Sequence, residues 1–518
     1  MMPAVLSILI AFTIMGTALV DLAVTNLQAS SNIVGGQKAL NIAEAGLNYY
    51  MWHLNHDPTD YKDGNSTPTT PNPSLGYGPY THQYIDANGV DEGTYTLWIN
   101  PASNNSTVVT VQSTGEAAGS NVTRTVSAQI GEPSFASYGV VSNTALWFGN
   151  DESADGPVDS NQGVRMDGPS DSTISSANAT YVPSSELGGN GSTSEPGVWC
   201  SSSVTSPVNC NTRSKTDWVY PVPQVNFNTV SSSLCTIKKA AFAENSSTSS
   251  LATESNACSQ TPSTLTSTYL PERNSTYSTT RGYLIILNSN GTYNLYDVNA
   301  QNDTLSSYTS ALTTTLVSTN ITIPSGGVIF AEDNVWVLSN PTFNGRVTIA
   351  AGRLNSTGSS TYANIEIAGP LLYSSKNGSD SIGLIAQESV LIAPYAPPTS
   401  GAFTFEVDGA LLAENGEVWY PLTYTSNSGR YTRGWTASNQ QLLFYGSVAT
   451  NQTWTWNWEE GGQPCSGDAS YDPVNGCISG IENTTTEYDY NLEYAPPPDY
   501  PLTSGYNILS WRQVLTHP

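Results

Sequence analysis

Charged side chains make up only 11% of this 518-residue chain, so the places where they gather are the first places to look for chemistry. The densest is NDESADGPVD, with Asp151, Glu152, Asp155 and Asp159; Glu332-Asp333 is a second. Carboxylates hydrolyse glycosidic bonds when paired about 5–9.5 Å apart, or hold Ca²⁺ when their oxygens are regularly spaced. The first group lacks the DxDxDG spacing of a calcium loop, so it reads as a solvated acidic turn. Arg346 and Arg353 follow Glu332 by about one turn of a β-coil, and ordinary surface ion pairs explain that placement equally well.

Other residue types give narrower readings. Trp454, Trp456 and Trp458 alternate (WTWNW), so on one strand they would share a face. That face is either a stacking platform for sugar rings or a core ladder, and alternating aromatics are more often core. His53 and His56 are one helical turn apart with only Asp57 beside them, which suits the dipole of a helix end better than a metal. Asn-x-Ser/Thr triplets recur (Asn65, Asn105, Asn121, Asn178, Asn245, Asn274), but a chain rich in these residues makes them by chance. The six cysteines fall as local pairs, Cys200 with Cys210, Cys235 with Cys258 and Cys465 with Cys477. Even counts at short spacing imply disulfides in an oxidising compartment, although six cysteines allow fifteen pairings. No CxxC occurs, and none of the four histidines (His53, His56, His82, His517) is near a cysteine in sequence, so zinc is disfavoured. No phosphate loop, GxSxG motif or nucleophile with a histidine partner is apparent.

The elements that would position these residues begin with Met1 to His56. Residues 4–20 (AVLSILIAFTIMGTALV) are apolar, the first charge is Asp21 and the first base Lys38. About 20 helical residues cross a bilayer core. Beyond them Leu40, Ala43, Leu47, Tyr50 and Leu54 recur at three- and four-residue steps, the stripe of an amphipathic helix. Gly35-Gly36 is the weak point before Asp57-Pro58 ends the pattern. The expectation is one long helix, its first half in lipid and its second half a spine. Asp21 marks the exit from lipid or a pairing inside a helix bundle, the first being favoured.

Residues 57–133 then read as a loop and a small antiparallel sheet, with strands at His82–Ile85, Gly93–Ile99, Thr107–Ser113 and Val122–Ile130. Asn88-Gly89 and the NPASNN stretch serve as turns. Its apolar face needs a cover, which the spine can supply. Short strands fill 134–186, and a Ser/Thr/Cys-rich surface insertion fills 187–280. From 281 to 450 apolar i, i+2 pairs recur (Val328 and Phe330, Val347 and Ile349, Ile365 and Ile367, Leu384 and Ala386, Phe403 and Phe405). A second set interleaves (Val335 and Val337, Leu372, Val390 and Ile392, Ala410 and Leu412). A period near 20 points to a parallel β-solenoid whose coils share a core only when stacked. The aromatic, proline-rich tail, 451–518, is expected to cap an end of that stack. The fold class is thus mainly β, with a long N-terminal helix, a small antiparallel sheet packed on it, and a solenoid-like domain bearing a disulfide-containing insertion. The formal charge of −26 argues against nucleic acid as partner.

GGQKALNIAEAGLNYYMWHL resembles the spine of large type IV pilin-like proteins with a PilX-type N-terminus, in which an "A…AEAG" segment follows an apolar helix. VIFAEDNVWVL, GRVTIAAG, IGLIAQESVLI and the ending YAPPPDYPL…YNILSWRQ resemble the pilus-assembly proteins of that group. The chain departs from standard pilins in showing no basic leader ending in Gly and no glutamate before Glu44. The resemblance implies a non-enzymatic, single-pass, surface-exposed minor pilin. It would need no cofactor, and its helix would pack against other pilin subunits after leaving the membrane. Its β-rich part would face outward for adhesion, with surface glycans as a candidate ligand. A stand-alone anchored envelope protein and a tethered β-helical polysaccharide enzyme are the alternatives.

Overall fold

The computed structural model describes residues 2–514 except 59, 67–69, 102–107, 274–275, 304–306, 357, 422, 426–427, 431–432, 461–464, 466–469 and 474–475. The chain forms two compact units, Met1–Glu132 with Ser504–Pro518, and Pro133–Thr503.

In the first unit α1 runs unbroken over Met2–His56. Four antiparallel strands follow, β1 (Tyr77–Ile85), β2 (Asp91–Asn100), β3 (Val109–Ala117) and β4 (Thr123–Gly131). Alternation sets the buried face: Tyr95, Leu97 and Ile99 from β2 and Val109 and Val111 from β3 point to the helix. Asn88-Gly89 turns β1 into β2, with Gly89 at φ 82° and the Asp86 carboxylate accepting the amides of Asn88 and Val90 at 2.8 Å each. Most of the NPASNN stretch lies outside the described residues.

The helix approaches the sheet closely because both surfaces are small there. A Cβ on Gly115 of β3 would strike the Ala39 carbonyl and lie 2.6 Å from the Ala43 amide nitrogen. A Cβ on Gly46 would strike Ser113 Oγ, and one on Gly35 would strike the same atom of Ser120. Gly35-Gly36, expected as a weak point, is therefore a contact point: it lets the helix pass over the β3–β4 turn. The sequence also ends differently from expectation. Asn507–Val514, assigned to a capping tail, pairs antiparallel with β4 as the fifth strand of this sheet.

The second unit is built on two large sheets of mainly parallel strands. In the longer one, Ile329, Ile349, Leu384, Leu411, Val448, Val140, Val158 and Ile174 stand one above the next. In the facing sheet Ile285, Val337, Ile367 and Ile392 do the same. The side chains of both ladders meet in one core. The stack is not in chain order. The chain starts in the middle at Val140–Ser142 and builds outward to Trp218–Val219. It then crosses to the far end at Tyr269–Leu270 and returns until Gln440–Thr450 pairs with the starting strand. Residues 134–186 thus run from the middle of the stack toward one end rather than forming its beginning.

The turns are tied from coil to coil. Asn334 Oδ1 accepts the Asn364 amide (2.9 Å), Asn364 Oδ1 that of Ser389 (3.1 Å), and Ser389 Oγ that of Glu417 (3.0 Å). A second row passes from Asn161 to Asn143 (2.8 Å), Asn143 to Asn451 (2.6 Å) and Asn451 to the Glu414 carbonyl (2.8 Å). Buried turn polar groups need such partners, which accounts for the Ser, Thr and Asn content.

Two expectations shift here. Val328, Phe330, Ala410 and Leu412 face outward, not into the stack, because a helix covers them. Ile365 and Ile367 belong to the facing sheet, so the period near 20 mixed two sheets. The covering helix, α2 (Thr229–Ala243), lies within the segment read as a surface insertion. It buries Val230, Leu234, Ile237 and Ala241. Its Lys238 is fully buried, pairs with Glu332, and donates to the Cys258 carbonyl at 2.9 Å. Beside α2 the proline-rich tail crosses the same outer face: Leu492 and Tyr500 join its core, and Arg346 donates to the carbonyls of Ala495 (2.9 Å) and Pro496 (2.6 Å). The apolar outer face needs that cover more than the end of the stack does.

Two measurements check this packing. Gly115→Val forces the helix off β3, and overpacking of this kind costs about 1–3 kcal/mol. Urea unfolding of the full chain in detergent should show the first unit opening earlier, with the second unchanged. On the outer face of the second sheet, burial with the nearby negative charge of Asp303 raises the Glu366 carboxyl from 4.5 to about 8. The folded state then holds a proton that the unfolded state has lost, so stability falls as pH rises from about 4.5 through about 8. Glu366→Gln, which keeps the Gln301 neighbour at 2.9 Å in the parent, should flatten that slope in thermal melts.

Candidate functional site

The helix α1 has two halves of opposite character. Residues 4–34 are exposed along their whole length and bear apolar side chains such as Leu9, Phe12, Leu19 and Leu27. By length and composition this is a candidate membrane span. Asp21 is its lone formal charge before Lys38, and Lys38 itself reaches Glu92 of β2 at 2.7 Å. From residue 35 the same helix is packed on the sheet. Ala43, Leu47, Tyr50 and Leu54 are buried, while Leu40 lies half-buried at the rim. Ala39, Ile42 and Gly46 complete the contact. The apolar stripe reading passed over Ala39 and Gly46 because small residues carry little hydrophobic signal.

The end of the helix is pinned by a short loop. Asp60 accepts from His53 (3.0 Å) and from the amides of Lys62 (2.8 Å) and Gly64 (2.5 Å). Asp63 accepts from His82 (2.6 Å) and the Tyr49 hydroxyl (3.1 Å). His56 contacts the Trp52 carbonyl. The two helix histidines thus have separate local partners, and among the described residues no three His, Cys, Asp or Glu side chains gather as a metal site. His517 lies outside the described residues.

Because β4 and the final strand are antiparallel neighbours, with Gly131 opposite Asn507 and Thr125 opposite Val514, they are the two arms of a hairpin. Residues 133–503 are the insert at its mouth. Within the second unit the entry and exit points meet: the Thr503 amide donates to the Pro133 carbonyl at 2.9 Å.

The acidic candidates of the second unit separate. Asp155 accepts the Tyr488 amide (2.8 Å) and Tyr490 hydroxyl (3.1 Å), Glu152 the Gly149 amide (2.9 Å), and Asp159 the Ser175 hydroxyl (2.5 Å). Asp151 contacts only its neighbour Asn150 in the bonds described. These bonds fasten turns, and Asp155 also meets Asp171, both accepting from the Tyr490 hydroxyl. Arg346 holds the tail, as described above. Arg353 does come near Glu332: both border one cleft, together with Glu272 and Tyr277. Burial raises the Glu332 carboxyl to about 6, with Lys238 opposing the rise, and burial raises Asp333 to about 6. Neither Glu272 nor Tyr277 stood out in the sequence, since only the ends of neighbouring strands bring them to this place.

The three tryptophans do not line one open face. Trp456 is 5% exposed in the central core and Trp454 packs against that core. Trp458 sits on a separate sheet, in Asn457–Glu460, and donates to the Tyr420 carbonyl at 2.9 Å. The alternation breaks because the chain passes from one sheet to another between them. The cysteines are joined as Cys200–Cys210, Cys235–Cys258 and Cys465–Cys477. The second ties α2 to the turn at Ala257–Ser259. Of the glycosylation triplets, Asn65 and Asn121 are exposed and Asn178 and Asn245 half-buried. Asn105 and Asn274 lie outside the described residues.

No family model and no curated protein matches the chain. Among solved structures it is similar to the competence-associated pilin ComZ from Thermus thermophilus. That match has 13% identity and a TM-score of 0.27, covering 93% of this chain and 98% of that one, an overlap too loose to carry an inference of function.

The hairpin arrangement has a direct test. Replacing residues 133–503 with a short Gly-containing turn between β4 and the final strand should leave the first unit folded. Far-UV circular dichroism and protease resistance of the shortened chain in detergent would report this. An unfolded product would mean that the first unit needs the insert.

Proposed function

We propose that this chain is a membrane-anchored, pilin-like subunit, occupying a rare position in a type IV pilus-type filament and displaying its second unit outward for adhesion. The observation that carries the proposal is the division of α1. An exposed apolar half runs without interruption into a half that is the spine of a five-stranded sheet. The exposed, nearly uncharged residues 4–34 are unstable in water and need lipid or other helices around them. A plain anchor needs only the apolar half. Continuing it rigidly into a folded unit fixes the direction of the helix relative to the sheet, which a helix-packed assembly requires.

The outward placement of the second unit is supported by its disulfides, which persist in oxidising compartments. A subunit with so large an insert suits a rare site better than every site of a thin filament. The packing that stabilises the helix in a filament would be van der Waals contact replacing lipid.

Cysteines placed singly at Leu9 and Leu19 allow crosslinking in cells. Disulfide- or maleimide-linked adducts with other pilin-type helices, recovered from sheared filaments, are the expected result. Crosslinks only within the cell envelope, with filaments free of this chain, would overturn the filament reading and leave a stand-alone anchored surface protein.

A further inference from the structure

In the longer parallel sheet Tyr269–Leu270, Val328–Ala331 and Arg346–Ala351 are adjacent and run the same way. The residues that follow their ends therefore come out side by side. Glu272 follows the first, Glu332 the second and Arg353 the third, and they border a cleft of about 410 Å³ with Tyr277, Asn355 and Ser356. This is near the lower end of the range for ligand clefts, about 300–1,000 Å³.

The charges around the cleft are already matched within the protein. Arg353 Nη2 lies 2.5 Å from Glu272 Oε1, and Glu332 is paired with the buried Lys238 while accepting the Tyr269 hydroxyl at 3.1 Å. With its main charges paired, the lining offers little to a free ion, but Arg353 Nη1 is buried without a hydrogen-bond partner and remains a donor for a neutral acceptor. The −26 formal charge of the whole chain further disfavours anions. What the lining retains is directional polarity. A guanidinium beside a carboxylate sets donors next to acceptors in one plane, the arrangement that neighbouring hydroxyls on a ring can bridge. Asn355 adds an amide and Ser356 a hydroxyl.

The cleft also has a rigid aromatic wall. The Tyr277 hydroxyl is held by the Tyr362 carbonyl (2.8 Å) and Asn334 Oδ1 (3.1 Å), and the Arg353 guanidinium sits 5.0 Å from its ring centroid. Arg353 is fixed in turn by its own amide donating to Gln387 Oε1 at 2.7 Å. The groups that would meet a ligand are therefore ordered before it arrives, which lowers the cost of binding.

We propose that this cleft binds a neutral sugar ring, the hydroxyls bridging Glu272 and Arg353 with Tyr277 beside the ring. The site deepens the adhesive reading of the second unit and rests on it for its biological purpose. Binding itself needs no filament, so failure to join a filament would leave it standing.

The test is titration of the purified full-length chain in detergent, followed by ligand-observed NMR and calorimetry. The probes are galactose, mannose and N-acetylglucosamine, with N-acetylneuraminate as the anionic arm. The expected result is saturable binding of at least one neutral sugar at millimolar concentration. Glu272→Gln and Arg353→Lys should each weaken it about tenfold or more, a loss in line with one charged hydrogen-bonding group. An unchanged melting curve shows that the variants are folded, and Tyr277→Phe, which keeps the ring, should retain more affinity than Tyr277→Ala. Absence of binding by all three neutral sugars, binding of the anionic probe alone, or neutral-sugar binding indifferent to Glu272 and Arg353 would each overturn the proposal.

Discussion

Hydrogen bonding from each coil to the next is the constraint on which the second unit depends. A single coil of such a stack has two edges of unpaired backbone N–H and C=O groups and no core of its own; it becomes stable only when a neighbour stands directly above it. Register must therefore be kept at the strands and at the turns together. The ladder from Ile329 through Val448 to Ile174 keeps it in the strands. The Asn334–Asn364–Ser389 row keeps it at the turns. The scarcity of charge follows from this. A turn buried beneath the next turn cannot hold an unpaired ion without a large desolvation cost, whereas an amide or hydroxyl can pass a hydrogen bond along. Lys238 and Glu332, which do lie at that depth, are paired with each other.

The first unit solves a different problem with one element. The same helix must be apolar all round for part of its length and one-sided for the rest. Leu, Ile, Val and Phe supply the first part. In the second, small residues on both surfaces let the backbones close up, as at Gly46 over Ser113 and Ala39 over Gly115. Close approach makes the spine and sheet a single rigid piece, and the loop bearing Asp60 and Asp63 locks its far end.

Much of this was legible in the residues. The spine half of the long helix and the small sheet beneath its stripe follow from periodicity, because each has one buried face, and the parallel β class follows from the recurrence of short apolar pairs. The second unit was legible only in outline. Its long sheet is buried on both faces, one by the facing sheet and one by α2 and the tail, so alternation could not distinguish inward Ile329 from outward Val328 and Phe330. The helix itself carried a readable stripe, Val230, Leu234, Ile237 and Ala241, obscured by the Ser and Thr around it. No local pattern could show that Val140 would stand on Val448, or that the final strand would return to β4, since both pairings join distant parts of the chain. The cleft was hidden for the same reason: Glu272, Glu332 and Arg353 meet only through strand register.

The hairpin that receives the insert also determines how mechanical load would travel. A pull on the second unit reaches the first through two covalent connections, and both enter the sheet at the same end, through Gly131 and Asn507. The two arms are drawn together, so their mutual hydrogen bonds are not sheared against each other. The load passes instead to the β3–β4 ladder and to the helix lying across it, where many bonds share it at once. Inserted in this way, the second unit is joined to the first by two covalent connections, and cutting one of them leaves it attached.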